Sequence, residues 1–218
     1  MKNTDQRYYE PLEQMMAIRH SYMAKVIRNI FDTSIFDFFS KKEVLDLGCG
    51  TGKFLYNYFE LGSKCTGVDN YNNFQFKNKK NFSLLNFDII NFLKKNKLKF
   101  DVIFIYEFLE HLSNDQREIL FKHLSKILNS NGIIFISTLN KNPISKFLSI
   151  NVAENILNLL PKNTHDPKLF ITPTELEYLA KMNKLKLKNV QGIIYNPIFK
   201  TFKLSQIDLV NYFVTLTN

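Results

Sequence analysis

Tryptophan is absent from this chain of 218 residues, and only two cysteines, seven glycines and four arginines are present. The two cysteines, Cys49 and Cys65, lack the spacing of a metal-binding pair, which excludes a cysteine-based zinc site. In a reducing compartment no disulfide between them is expected. The fold must therefore be stabilised by its hydrophobic core.

Long hydrophobic runs are missing as well. No uninterrupted apolar run approaches the roughly 18 residues that a membrane-spanning helix needs, and the first residues are too polar for a secretory signal. The sequence therefore predicts a cytoplasmic protein. Hydrophobic residues make up 45% of the chain, enough for a large core, and no linker rich in proline, glycine or serine divides it. We predict a single domain over residues 1–218.

Acidic residues are outnumbered, and the formal net charge is +9. A nucleic-acid partner is not expected, because the cations are almost all lysines, whereas base and phosphate recognition favours arginine. A positive surface is also attracted to anionic lipid headgroups. An anionic membrane surface is therefore the expected macromolecular partner.

Short apolar runs of strand length recur along the chain, with helical patterns between several of them. Strand and helix in alternation predict an α/β fold, with a parallel sheet and helices on both faces. The predicted strands are EVLDL (43–47), KCTGV (64–68), FSLL (82–85), DVIFIY (101–106), GIIFIST (132–138), LKLKNV (185–190) and DLVNYFVTLT (208–217).

Helix starts are signalled clearly at two places. Ser113 to Gln116 and Thr172 to Glu175 each have the spacing of a capping box. The N-terminal stretch 10–39 also has apolar residues at helical spacing and is predicted to form a helix.

Three glycines, Gly48, Gly50 and Gly52, follow the first strand and open a helix. Glycines there let a ligand approach the backbone, and a helix N-terminus offers free N–H groups. The spacing is not that of a dinucleotide fingerprint, because Lys53 stands where the third glycine would be. An NAD-dependent dehydrogenase is therefore disfavoured.

The run Asp46-Leu47-Gly48-Cys49-Gly50-Thr51-Gly52 resembles the signature of class I S-adenosylmethionine-dependent methyltransferases. The resemblance implies that Asp46, Gly48, Cys49, Gly50 and Gly52 lie against the methionine and ribose of the cofactor. It implies that Asp69, with Asn70 beside it, takes the ribose hydroxyls, and that Asp88 binds the adenine amino group. A helix cap is an equally good interpretation of Asp88.

The fold implied by this resemblance is Rossmann-like, with a mostly parallel seven-stranded sheet, helices on both faces and an antiparallel C-terminal strand. The segment 70–81 is polar and lacks helical periodicity, although this fold usually has a helix there. Its loss should leave the adenine pocket more open.

Several later stretches, including STLNKNPISKF, KNTHDPKLFITPTEL and GIIYNPIFKTFKL, are similar to the ubiquinone-biosynthesis O-methyltransferases. The similarity covers most of residues 43–218. It implies methylation of a catechol-type hydroxyl on a polyprenylated phenol or quinol, with other ubiquinone-biosynthesis proteins as partners. Residues 1–42 match less well and are expected to form a helical lid. There Arg28 stands where the family has an arginine on the cofactor carboxylate, and a solvated helix arginine is the alternative.

The stretch FDVIFIYEFLEH places Glu107, Glu110 and His111 directly after the most apolar strand. Ligands bind beyond the carboxyl ends of strands in such sheets, so these side chains should lie at the site. A phenol has a pKa of about 10 and needs activation. A divalent cation held by all three would supply it, and the ligand set suits magnesium or zinc. Tyr106 is expected to border the adenosine.

Two alternatives to a metal remain for this cluster. His111 could act as general base with Glu110 orienting it. Alternatively, Glu110 caps a helix and His111 packs inside.

An apolar insert over residues 139–172, with lysines near its ends, suits a membrane interface or a channel for a prenyl chain. A buried core helix is the simpler interpretation. His165 and Asp166 could border the aromatic ring of the substrate, or fix a loop. Two other functions remain open: methylation of a soluble catechol or phenol, and a non-catalytic methyltransferase-like subunit that binds lipid or a partner.

Overall fold

The computed structural model describes residues 5–70, 72, 74–148, 166–196, 199 and 201–218. They form an eight-stranded sheet with helices on both faces, in the strand order β3-β2-β1-β4-β5-β8-β6-β7. The strands are β1 Glu43–Leu47, β2 Lys64–Asp69, β3 Phe82–Asn86, β4 Phe100–Tyr106, β5 Leu128–Leu139, β6 Lys186–Asn196, β7 Thr201–Ser205 and β8 Asn211–Thr217.

The first five strands are parallel, and β8 is antiparallel to β5. The chain builds outward from β1 to β3 and then crosses to β4 on the other side of β1, so the topological switch point lies between β1 and β4. Ligands bind at such a crevice. The predicted mostly parallel sheet with an antiparallel C-terminal strand is confirmed.

Two details of the sheet differ from the prediction. The described residues form eight strands rather than seven, because β6 extends to Asn196 and pairs with the antiparallel strand β7. The last strand begins at Asn211 rather than at residue 208. The carbonyls of Asp208 and Leu209 instead accept hydrogen bonds from the side-chain amides of Asn140 and Asn142, at 2.6 and 2.8 Å.

Both predicted capping boxes are present, with Ser113 bonded to Gln116 and Thr172 to Glu175. The N-terminal stretch forms two helices rather than one. Asp32 has a positive φ of 50°, and the Ser34 side chain caps the second helix. The helices are α1 Asp5–Phe31, α2 Ile35–Phe39, α3 Lys53–Glu60, α4 Ile89–Lys95, α5 Asn114–Ile127, α6 Pro143–Lys146 and α7 Pro173–Met182. None of those described is long and apolar enough to cross a membrane.

The sheet separates two hydrophobic cores, and β4 contributes to both. Ile103 and Ile105 pack with α4, α5 and α7 on one face. Phe104 and Tyr106 pack with α1, α2 and α3 on the other. Because side chains alternate along a strand, consecutive residues at the strand ends point to opposite faces. This alternation decides which predicted site residues can meet.

Candidate active site

The glycine turn lies at the carboxyl end of β1, at the switch point. Gly48, Gly50 and Gly52 have φ values of +84°, +54° and +80°, a region that side chains rarely adopt. A Cβ on Gly52 would also lie 2.7 Å from Leu84 Cδ1. Glycine is therefore required by backbone conformation, and at Gly52 also by the close approach of Leu84. Cys49, between two of them, is buried.

Asp69 ends β2 beside this turn, and its Oδ2 accepts a hydrogen bond of 2.8 Å from the Gly50 N–H. The Asn70 carbonyl accepts a bond of 2.8 Å from the Asn86 side chain. Asp69 is thus brought to the glycine turn, whereas the Asn70 backbone is bonded to the end of β3. Asp88 is exposed and caps α4, accepting from the Asn91 N–H at 2.8 Å. Its position therefore fits the interpretation as a helix cap.

Asp46 lies on the β1 face that α1 covers and is only 3% exposed. Burial raises the pKa of Asp46 to about 7, and the Asp69 carboxylate also raises it, while the Arg19 guanidinium lowers it. A carboxyl group that titrates near neutral pH is uncommon and often marks a functional site.

Arg19 is a further candidate site residue, and it was not among those predicted from the sequence. Its guanidinium carbon lies 4.7 Å from the centre of the Tyr106 ring and 5.4 Å from that of Phe54, and its Nη2 forms an ion pair with Glu107. Burial lowers the pKa of Arg19. Its Nε is buried and has no hydrogen-bond partner among the described residues. An orphaned buried donor of this kind suggests that a ligand atom completes the site.

Arg28, the predicted cofactor ligand, lies exposed in the last turn of α1. It is nine residues from Arg19, or about 13 Å along the helix axis. The structure therefore brings Arg19, not Arg28, to the glycine turn. A signal for Arg19 was present in the sequence, because it follows Met15 by four positions and precedes Tyr22 by three, on the apolar face of the helix.

Glu107 directly follows β4 and has a positive φ of 47°, a strained conformation for a residue with a side chain. Its backbone N–H donates to the Ser137 carbonyl at 3.0 Å, and its Oε1 accepts from Ser137 Oγ at 2.5 Å. Together with Arg19, these bonds fix the carboxylate on the face of the sheet that α1 covers.

Glu110 lies in a single 3-10 turn, Leu109–His111, and is fully buried. Its Oε2 accepts from Thr138 Oγ1 at 2.7 Å. Burial raises the pKa of Glu110, opposed by the Thr138 hydrogen bond and by the positive charges of His111 and Arg117. The His111 side chain is exposed at the rim, so the interpretation in which it packs inside is wrong.

The metal centre predicted from Glu107, Glu110 and His111 is not formed by this arrangement. Ser137 and Thr138 are consecutive residues of β5, so the carboxylates bonded to them lie on opposite faces of the sheet. Glu107 already has the Arg19 guanidinium as its cation. Within the described part of the chain, no three histidine, cysteine, aspartate or glutamate side chains converge as metal ligands.

Of the three remaining predicted residues, the structure describes Tyr106 and Asp166. Tyr106 is buried beneath Arg19, and its hydroxyl donates to the Met23 sulfur at 3.2 Å. Asp166 caps the 3-10 turn Pro167–Leu169, accepting from the Lys168 N–H at 3.0 Å, which fits the loop-fixing alternative. His165 lies outside the described residues.

Comparisons with known proteins agree with this architecture. Residues 15–187 match a family model described as a methyltransferase domain. The ubiquinone biosynthesis O-methyltransferase of Pelagibacter ubique is 35% identical over 210 residues, 94% of this chain and 87% of that protein. The enzyme of the same name from Coxiella burnetii strain RSA 331 is 37% identical over 183 residues, 81% and 77% of the two chains.

Solved structures resemble the fold at low sequence identity. The plantazolicin methyltransferase BamL, in complex with a triazolic desmethylPZN analog and SAH, has a TM-score of 0.67 at 16% identity, covering 97% of this chain and 88% of that one. Magnesium protoporphyrin IX methyltransferase from Synechocystis, with bound SAH, has a TM-score of 0.61 at 13% identity, covering 99% and 87%.

Proposed function

This chain belongs to the methyltransferase-domain family and to its ubiquinone-biosynthesis O-methyltransferases, and from that premise we propose its reaction. The methyl group of S-adenosylmethionine is transferred to a catechol-type hydroxyl of a polyprenylated phenol or demethylubiquinol. The observation that carries this proposal is the contact of the glycine turn with two groups at the carboxyl ends of the strands. Asp69 is bonded to Gly50, and Phe108, in the turn 107–111, packs against Gly48.

The cofactor is held on the side of the sheet that α1 covers. The methionine part of the cofactor lies against the glycine turn, with its ammonium and sulfonium charges near the buried Asp46 carboxyl. Asp69 accepts hydrogen bonds from the ribose hydroxyls. The Arg19 guanidinium binds the cofactor's carboxylate, because it is a buried cation beside the turn with an unsatisfied Nε. Glu107 keeps Arg19 in place through the ion pair.

Methyl transfer is a single displacement. An oxygen lone pair of the phenol attacks the methyl carbon while the carbon–sulfur bond breaks, and the cofactor leaves as a neutral thioether. The phenol must lose its proton, and His111 accepts it, since its imidazole is exposed at the rim where a ring can approach. The buried Glu110 carboxyl lies behind it, close enough for the imidazolium charge to lower the pKa of Glu110, although burial raises that pKa overall.

A divalent cation has no part in these steps, because the three side chains predicted to hold it do not meet. Glu107 would have to release Arg19 for such a site to form. Turnover that a chelator abolishes and Mg²⁺ restores would show that this regrouping occurs when substrate binds. Transfer of label from S-adenosylmethionine to the quinol is therefore measured both with and without a chelator.

Incubation with methyl-labelled S-adenosylmethionine and a demethylated prenyl quinol is expected to transfer label to the quinol. The label should be recovered as a methyl ether by mass spectrometry. A soluble catechol without a prenyl chain is the comparison substrate, and equal kcat/KM for the two would favour the soluble catechol function. If label were transferred to neither substrate and calorimetry showed no cofactor binding, the protein would be a non-catalytic methyltransferase-like subunit.

The single domain has two accessory regions in this proposal: residues 1–42 as the substrate lid and residues 139–172 as the contact with the membrane. At the described start of the second region, Ile144 and Phe147 are 48% and 55% exposed. Helix α6, which carries Ile144, is tied through Asn142 to the Leu209 carbonyl, near the exposed Ile207. With a net charge of +9, such a surface suits an anionic bilayer.

Sedimentation with anionic liposomes is expected to pull the protein down at low salt and to release it at high salt, since salt screens the attraction. Substituting Phe147→Asp should lower the partition coefficient about tenfold, because an inserted aromatic side chain is replaced by a charge. Tyr178→Asp, also on an exposed aromatic residue but on α7, is the matched control. Absence of binding at low salt would contradict the membrane role.

A further inference from the structure

The connection between β2 and β3 contains a segment, residues 74–80, that we call the strap. No helix is present in the described part of this connection, as the sequence predicted. The strap is nevertheless held to the domain by its own contacts. Four of its residues contact the glycine turn or the elements beside it, and none of the four has a role in the methyl transfer described above.

The strap is bound directly to the glycine turn. The Gln75 backbone N–H donates a hydrogen bond of 3.0 Å to the carbonyl of Thr51, which stands between Gly50 and Gly52. This bond orients the peptide group between Thr51 and Gly52. A shift of the strap would therefore move the backbone against which the cofactor lies.

A second connection runs through β3. The Asn78 side chain imitates a neighbouring strand, accepting from the Leu84 N–H at 2.7 Å and donating to the Leu84 carbonyl at 3.4 Å. The Leu84 side chain is the group that approaches Gly52 so closely that no Cβ would fit. Asn78 thus fixes the residue that packs against the far end of the turn.

The strap is anchored to α3 by aromatic contacts. The Phe76 ring stacks on the Tyr56 ring at a centroid distance of 4.0 Å and an angle of 6°. Lys79 Nζ donates to the Tyr56 hydroxyl at 2.9 Å and lies 5.0 Å from the centre of that ring. Because α3 begins directly after Gly52, the anchor and the turn belong to one continuous piece of chain.

We propose that the strap is a cofactor-positioning element, which holds the glycine turn in the conformation that binds S-adenosylmethionine. In place of the expected helix it has one hydrogen bond to the turn, two hydrogen bonds to Leu84 of β3 and one aromatic contact with α3. The inference rests on the proposed function, because it assigns the strap to the same cofactor site. Its residues act through Thr51 and Leu84, and they take no part in the chemical step.

Calorimetric titration with S-adenosylmethionine tests this. Phe76→Ala is expected to raise the Kd about tenfold, since stacking and burial of a ring are lost. Asn78→Ala, on an exposed side chain that is not required for the core, should raise it about fivefold. Phe76→Tyr keeps the ring and should restore the affinity. At saturating cofactor, kcat should stay within about twofold of the native value, and the KM for the quinol should be unchanged.

Phe202→Ala is the matched control, because Phe202 also pairs with a tyrosine ring, at 4.9 Å from Tyr195, but in the antiparallel β6–β7 hairpin. It should lose similar thermal stability and leave the Kd unchanged. Unaltered affinity in both Phe76→Ala and Asn78→Ala would overturn the inference. If the native protein itself bound no S-adenosylmethionine, the proposed function would fail instead, so the two failures are distinguishable.

Discussion

Replacing His111 with alanine is expected to lower the rate of methyl transfer at least about 100-fold, because general-base catalysis contributes two to four orders of magnitude. The affinity for S-adenosylmethionine should change less than about twofold, since in the proposed mechanism the exposed imidazole acts on the phenol and does not hold the cofactor. Single-turnover kinetics with labelled cofactor measures the first quantity, and calorimetry measures the second. Glu110→Gln should also slow transfer, because it removes the carboxylate behind the imidazole while keeping its shape.

His123→Ala provides the control for this experiment. His123 is also a partly accessible histidine, but its ring nitrogen bonds the Ile119 carbonyl within α5, away from the rim. Its loss should leave the transfer rate within about twofold of the native value. Native turnover in His111→Ala would remove the imidazole from the mechanism, and solvent would then have to accept the phenol proton.

Features that depend on residues close in sequence could be predicted. The glycine turn needs three glycines within five positions, and each capping box needs two residues three apart, so the sequence contains all of the required information. The parallel strands could be predicted because each is an apolar run of suitable length. Strand β7 was missed, because its burial is only partial and TFKLS has no comparable apolar run.

The metal centre could not be tested from the sequence, because spacing alone does not give the face on which a side chain lies. Glu107 adopts a positive φ, and the 3-10 turn that follows directs Glu110 to the other side. Their partners, Ser137 and Thr138, lie about thirty residues later in the chain. That pairing is set by the register of β4 with β5, which is a property of the folded sheet.

Two arginines of α1 also lie differently from what the resemblance led us to expect. Arg19 and Arg28 are both on α1, and the resemblance placed Arg28 at the cofactor. The packing of Tyr22 and Met23 against the sheet decides the rotation of the helix, which turns Arg19 inward and leaves Arg28 exposed. Buried arginines are rare unless they are paired, so an arginine on the apolar face of a helix is itself a candidate binding residue.

Arg19→Met should therefore weaken S-adenosylmethionine binding at least about 100-fold, since hydrogen bonds to charged groups are worth about 1.5 to 3 kcal/mol each and the guanidinium can make two. The same change leaves the Glu107 carboxylate without its cation, so some loss of stability is expected. Arg19→Lys keeps the charge without the planar fork and should show an intermediate affinity with near-native stability. Calorimetry with the cofactor, combined with thermal melting, separates the two effects.

Arg28→Met is the matched control, because it makes the same change on the same helix at an exposed position. It should bind S-adenosylmethionine as the native protein does. The opposite result, with Arg28→Met impaired and Arg19→Met normal, would return the role to the residue favoured by sequence resemblance. It would also mean that α1 rotates or slides when the cofactor binds, because an exposed side chain about 13 Å along the helix from Arg19 could not otherwise replace it at the glycine turn.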